Sequence, residues 1–202
     1  MIVYTYQERD IEIYPLDISR WKDFEALFGE RGACGGCWCM SWRLKKADFE
    51  KQKGNMNKES LKRLVEANEP TGLLAYLDGK AIGWCAVAPR EVYIRLEKSR
   101  VLKKIDDKPV WSISCFFIAK EYRRSGISEI LINGAINYCM GKGAEILEAY
   151  PEEPYSSKVP DAFMWKGMPS AFQKAGFVVA ERRSRTRPIM RYYLAKQQHK
   201  IY

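Results

Sequence analysis

The sequence predicts an α/β fold: a mixed central sheet with helices on both faces. Two patterns carry that expectation. The C-terminal half runs strand, helix, strand, helix, strand, strand, and apolar runs alternating with helix-periodic runs build a sheet covered by helices. Upstream, residues 71–77 and 81–88 flank Asp78-Gly79, a hairpin turn dipeptide, and add an antiparallel pair. With 202 residues, 47% of them hydrophobic, the chain is long enough to bury one substantial core, so a single domain over 1–202 is expected.

The elements follow in order. Residues 11–14 alternate as a short strand, and Ser19 is placed to cap a helix through Phe28 whose Trp21, Phe24, Leu27 and Phe28 share a face. Residues 29–48 read as an irregular connection rich in aromatic and cysteine residues. Asn57 is placed to cap the next helix, with Leu61, Leu64 and Val65 on its buried side, ending before Glu69-Pro70. The hairpin comes next; Pro89-Arg90 closes its second strand, 92–96 form a short helix or turn, and 103–108 are a polar loop. Then come a strand at 111–118, a helix over 129–141 with Ile130, Leu131, Ala135, Ile136 and Cys139 on its apolar face, and a strand at 145–150. A late helix ends in Gly176-Phe177, and the apolar segments 177–180 and 189–194 make the last two strands.

Charge and cysteine content narrow the function classes. Charges interrupt every apolar run before it reaches membrane-spanning length, and the N-terminus MIVYTYQERD has neither a long apolar core nor a basic leader, so a cytoplasmic protein is expected. The six cysteines then read as reduced thiols. Cys34-Gly-Gly-Cys37-Trp-Cys39 could grip a zinc or act as a redox pair, but it lacks a second Cys or His pair and a thioredoxin-like context. A structural or substrate-pocket loop is the favoured reading, and no metal is expected. The net charge of +9 suits coenzyme phosphates, an anionic partner or simple solubility. Its densest cluster, Arg182, Arg183, Arg185, Arg187 and Arg191, reads either as a nucleic-acid surface with Tyr192 and Tyr193 or, preferably, as the solvated turn of a terminal hairpin.

The segment from Val110 to Ser128, VWSISCFFIAKEYRRSGIS, carries the chemistry. A strand feeds a basic, glycine-containing turn at a helix start, where unpartnered backbone N–H groups and the helix dipole favour phosphate. Arg123 and Arg124 add cationic donors, Ser125 and Ser128 hydroxyls, and Gly126 close approach. Arg123-Arg124-Ser125-Gly126-Ile127-Ser128 resembles the acyl-CoA signature of the GNAT acetyltransferase superfamily, with Ser128 where the strict pattern has Gly or Ala. The late Ala171-Phe172-Gln173-Lys174-Ala175-Gly176-Phe177 also looks like that family's last helix, and the likeness covers about the last two-thirds of the chain. A nucleotide-binding reading of the turn lacks both a Walker lysine and a dinucleotide glycine triplet.

The resemblance implies a GNAT-like sheet core over 71–202 with the acyl-CoA site, substrate-side elements in 1–70, acetyl-CoA as co-substrate, and direct attack by an amine. It also implies pantetheine running along Phe116, Phe117 and Ile118, phosphates on Arg123, Arg124, Ser125, Gly126, Ile127 and Ser128, and a backbone N–H of that strand polarising the thioester. Where many members have a proton-donating tyrosine in the late helix, this chain has Phe172. Tyr150 and Tyr155 are therefore the candidate acids, and Glu148 the candidate base. Cys115 could carry an acyl group but has no histidine nearby in sequence, so a buried thiol is the favoured role. Trp38, Trp42, Trp84, Trp111, Tyr155, Phe163 and Trp165 offer flat apolar surface, which favours an aromatic amine or a peptide N-terminus over a polyamine. The expected assembly is a monomer or homodimer. A non-catalytic acyl-CoA sensor and a basic RNA-binding protein are the alternatives.

Overall fold

A computed structural model describes residues 1–153 and 165–194. Its backbone is organised by one eight-stranded sheet in the order β1-β2-β3-β4-β5-β6-β8-β7. The strands are β1 (Tyr4–Tyr6), β2 (Ile11–Pro15), β3 (Leu73–Leu77), β4 (Lys80–Pro89), β5 (Trp111–Ile118), β6 (Ile146–Ala149), β7 (Val178–Arg182) and β8 (Pro188–Tyr193). Neighbours from β1 to β5 pair antiparallel, β5 and β6 pair parallel, and β8 lies antiparallel to both β6 and β7. The helices are α1 (Trp21–Phe28), α2 (Lys46–Lys51), α3 (Asn55–Glu66), α4 (Ile94–Glu97), α5 (Ile127–Gly141) and α6 (Pro169–Lys174). This is the expected mixed sheet with helices on both faces.

Alternation along the strands supplies both faces with apolar side chains. Cys85 and Val87 of β4 join Leu131, Ala135 and Cys139 of α5 in one core, while Trp84 and Ala86 point the other way to Phe24 of α1 and Leu61 of α3. The seat of α5 depends on a glycine. A Cβ at Gly134 would lie 2.8 Å from Cγ2 of Ile13, so any larger residue would lift the helix from β2. The β3–β4 turn has positive φ at both Asp78 (49°) and Gly79 (73°), as a tight hairpin turn requires.

Several local expectations are corrected. Asp17, not Ser19, caps the α1 entry: its Oδ1 accepts from the Arg20 N–H at 3.2 Å, and Ser19 Oγ itself donates to Asp17. A carboxylate at the correct offset is the better acceptor. Asn57 is not a cap either. Gly54 precedes α3, and Asn57 is fully buried in its first turn, where Nδ2 donates to Gly36 O at 3.1 Å and pins the preceding loop. The connection 29–48 contains the start of α2, which buries only Phe49 and so has no readable periodicity. At three residues, β1 is too short for an alternation signal.

The β5–β6 contact positions the site. Parallel pairing covers Trp111↔Leu147, Ser112↔Glu148 and Ile113↔Ala149, whereas β4 follows β5 as far as Ile118. Beyond Ile113 one edge of β5 therefore has no strand beside it, and the sheet opens into a wedge.

Candidate active site

A cavity of about 490 Å³ occupies the open side of β5. Cys115, Phe116, Phe117 and Ile118 form its floor, Arg123, Arg124 and Ser128 close one end, and Trp42 and Trp165 close another part of the wall. The predicted acyl-CoA residues are thus largely brought together. Ser125, Gly126 and Ile127 complete the turn without lining the cavity, and the Ile127 side chain is buried against α5 and the sheet.

The turn is built as expected for an anion site. Arg124 and Gly126 both adopt left-handed φ, 60° and 85°, and α5 begins at the next residue, so its first N–H groups face the end of the wedge. Ser125 Oγ donates to Tyr122 O at 2.6 Å and Arg123 Nε to Ile118 O at 3.1 Å, which hold the turn against the end of β5. A Cβ at Gly126 would meet nothing within 4 Å, so the space over the helix start is open. The residues present fit an acyl-CoA: a cationic helix start for phosphates, continued by a strand edge without a strand partner for a chain of amides.

Glu148 and Tyr150 lie elsewhere. Glu148 is 1% exposed; its carboxylate accepts from Arg191 Nε at 2.8 Å, Arg90 Nη1 at 3.4 Å and Tyr150 Oη at 2.7 Å. Tyr150 Oη also meets Ser112 Oγ at 2.8 Å and accepts from Arg90 Nη1 at 2.6 Å. Burial, with the Glu148 charge beside it, pushes the Tyr150 phenol well up. Asp106 completes the cluster with two bonds from Arg191. Neither Glu148 nor Tyr150 lines the cavity. Tyr155 and Phe163 lie outside the described residues. Phe172 is fully buried, its ring 5.9 Å from that of Phe116 and 5.1 Å from that of Phe177.

The cysteine loop does reach the site. Cys34, Cys37, Cys39 and Cys115 all line the cavity, and Trp84 Nε1 donates to Cys39 Sγ at 2.9 Å. Gly36 is held against Gly54, whose N–H donates to Gly36 O at 3.0 Å. Among the described residues no group of three His, Cys, Asp or Glu is placed to hold a metal. Of the predicted aromatic wall, Trp42 and Trp165 line the cavity, Trp38 and Trp84 pack into the α1–α3 core, and Trp111 packs on Tyr138.

Buried thiols give a pH dependence of stability. Burial and then Cys39 push Cys37 up to about 12, the hydrogen bond with Cys39 and then burial raise Cys115, and burial raises Cys85 and Cys139. Groups raised in the folded state stabilise it fully below their unfolded value, about 8.5 for cysteine, and less as pH climbs towards their folded values. Melting temperature under reducing conditions is therefore expected to hold to about pH 8.5 and then fall, with roughly 1 kcal/mol lost per pH unit for each fully buried thiol. A flat profile to pH 10.5 would refute this.

One site element had no sequence signal. The carbonyl of Trp165 accepts from the Phe116 N–H at 2.6 Å, so the segment after residue 164 already touches the open edge of β5. A Cβ at Gly167 would lie 2.9 Å from Phe172 and 3.1 Å from Phe116, so glycine permits this approach. The arginine cluster forms the β7–β8 turn and its flanks. Arg182 pairs with Glu153, and Arg183 donates to the carbonyls of Lys103 and Lys104.

Comparison with known proteins agrees with this architecture. A family model described as acetyltransferase (GNAT) family matches residues 38–158. Among solved structures, PaiA N-acetyltransferase from Thermoplasma acidophilum, in complex with coenzyme A, superposes with a TM-score of 0.51 at 18% identity, covering 91% of this chain and 98% of that one. A GNAT-family acetyltransferase from Listeria monocytogenes 4b F2365 gives a TM-score of 0.57 at 8% identity over 95% of this chain and 99% of its own. One from Streptococcus agalactiae 2603 gives 0.54 at 13%, covering 92% and 96%. No curated protein matches by sequence.

Proposed function

Since the chain belongs to the GNAT acetyltransferase family, we propose that it binds acetyl-CoA in the β5 wedge and transfers the acetyl group to an amine by direct attack. One observation carries the reading. The helix start with left-handed Arg124 and Gly126 sits at the end of a strand edge that no other strand pairs and that the Trp165 carbonyl touches at Phe116, so the sites for phosphate and amides adjoin. The coenzyme A complex of the Thermoplasma relative supports the choice of coenzyme. On this reading 1–70 supply acceptor-side wall through the cysteine loop, while β1 and β2 extend the sheet.

The chain's own groups then divide the work. Arg123, Arg124 and the α5 N–H groups hold phosphates, and the β5 edge aligns the acyl arm. Phe116 N–H, which points into the wedge, is the donor for the developing oxyanion once the Trp165 carbonyl yields it. Among the described residues no carboxylate or histidine lines the cavity, so the amine proton leaves through water rather than Glu148. Phe172 offers no hydroxyl and Tyr150 is committed to Glu148, Ser112 and Arg90, so Tyr155, outside the described residues, and water are the remaining proton sources for the departing thiolate. Glu148 and Tyr150 are positioning residues of the β5–β6 contact.

Titration calorimetry with acetyl-CoA, CoA and ATP tests the binding step. Saturable heats for both CoA species and little response to ATP are expected. Absence of acetyl-CoA binding in a folded sample would overturn the assignment. Acetyl-CoA binding without turnover on any amine would favour the sensor alternative.

A further inference from the structure

The wall of the cavity formed by Trp42 and Trp165 is flanked by a cluster of positive charge. The Arg187 guanidinium lies 6.0 Å from the Trp42 ring centroid, Arg95 lies 5.6 Å from the same ring, and Lys166 Nζ stands 4.9 Å from the Trp165 centroid. The two indoles are 6.1 Å apart. Among the described residues Glu152 is the carboxylate paired with this group, through Lys166. Arg95 Nη1 donates to the carbonyl and hydroxyl of Ser41, both neutral.

Unpartnered donors gather around the Trp42 ring, with Arg187 beside the cavity rather than in its lining. Arg187 Nε and Nη2 are buried without an acceptor, and so is Nε1 of Trp42, a residue only 8% exposed that lines the cavity. The contrast with the neighbouring cluster is informative. There Arg90 and Arg191 bond to Glu97, Glu148, Asp106, Tyr150 and a backbone carbonyl. Desolvation, aided by Arg95 and opposed by Glu152, pushes Arg187 below its ordinary value, and desolvation does the same to Lys166 despite Glu152. A buried donor left without a partner is costly, and clustered ones are a place where a ligand acceptor completes the structure.

We propose that the Trp42–Trp165 wall is an anion subsite, where Arg187 and Trp42 Nε1 bind the carboxylate or phosphate of the amine acceptor and Arg95 and Lys166 supply the field. The inference rests on the acetyl-transfer reading and narrows its acceptor to an anionic amine, such as an amino acid with a flat side chain. A polyamine, carrying only positive charge, is repelled here. A guanidinium offers a planar fork matched to either anion, and the two indoles provide the apolar surface beside it.

The test compares matched acceptors: L-phenylalanine against L-phenylalaninamide and phenethylamine, and O-phosphoethanolamine against ethanolamine, each with saturating acetyl-CoA. The expected result is a kcat/KM at least about tenfold higher for an anionic member than for its neutral partner. The pair that shows it tells carboxylate from phosphate. Arg187→Gln should erase the preference through KM and keep or raise the melting temperature, since it removes an unpaired desolvated charge. Trp42→Phe, which removes only the indole N–H, should reduce the preference in part. Equal turnover of anionic and neutral members would overturn the subsite and leave acetyl transfer standing. Binding of N-acetyl-L-phenylalanine and its amide is read independently by calorimetry. Arg187-dependent preference for the acid without any turnover would support the subsite while the transfer reading fails, and equal binding would overturn the subsite.

Discussion

Gly126→Trp lowers acetyl-CoA affinity by about 100-fold or more while the protein stays folded, if the α5 start is the phosphate site. The space over Gly126 is open, so an indole there meets no protein atom at its Cβ and instead fills the approach to the helix N–H groups. Losing two charge-assisted bonds at roughly 1.5–3 kcal/mol each accounts for that factor. The left-handed φ of 85° adds backbone strain of about 1 kcal/mol for any non-glycine residue, so the melting temperature falls modestly. Calorimetry and thermal melting on the same sample separate the two effects. Unchanged affinity in a folded variant would place the coenzyme elsewhere.

Glu148→Ala has the opposite signature: a large loss of stability with the phosphate loop intact. The substitution removes the carboxylate shared by Arg90 and Arg191, leaving two buried guanidiniums facing each other with Glu97 and Asp106 as their remaining carboxylates. Breaking a buried pair in this way costs about 3–5 kcal/mol, equivalent to about 6–20 °C in Tm for a domain of this size. Acetyl-CoA binding measured below the transition should survive. If Glu148 were instead the general base, Glu148→Gln would abolish turnover with an unchanged melting temperature, and the positioning role assigned here would be wrong.

Much of the fold could be read directly, because the strands that build it are apolar runs bounded by turn residues. The span of β5 and the Asp78-Gly79 turn are the clearest cases. Capping was less legible. Asp17 and Ser19 both suit an N-cap, and only the register of the short turn before α1 decides between them. The anion-site geometry of the turn was legible because it is local, confined to six consecutive residues, 123–128. The surroundings of Glu148 were hidden for the converse reason. Its partners Arg90 and Arg191 are 58 and 43 residues away, so nothing near it in the chain says that its charge is already matched. The same distance hid the company of Trp42, which meets Arg95, Trp165 and Arg187 only after folding.

The short parallel contact between β5 and β6 also has a mechanical meaning. Three residue pairs join the first five strands to the last three, and the charged cluster around Glu148 sits at that junction. The sheet is thus joined at one end and unpaired at the other, like an open clothes-peg with its spring at Ser112. On the proposed reading the contact between Phe116 and Trp165 is a latch that the incoming thioester carbonyl exchanges one for one. On the proposed reading a long flexible guest is accepted where strand pairing has already ended, so its entry breaks none of the β5–β6 pairs.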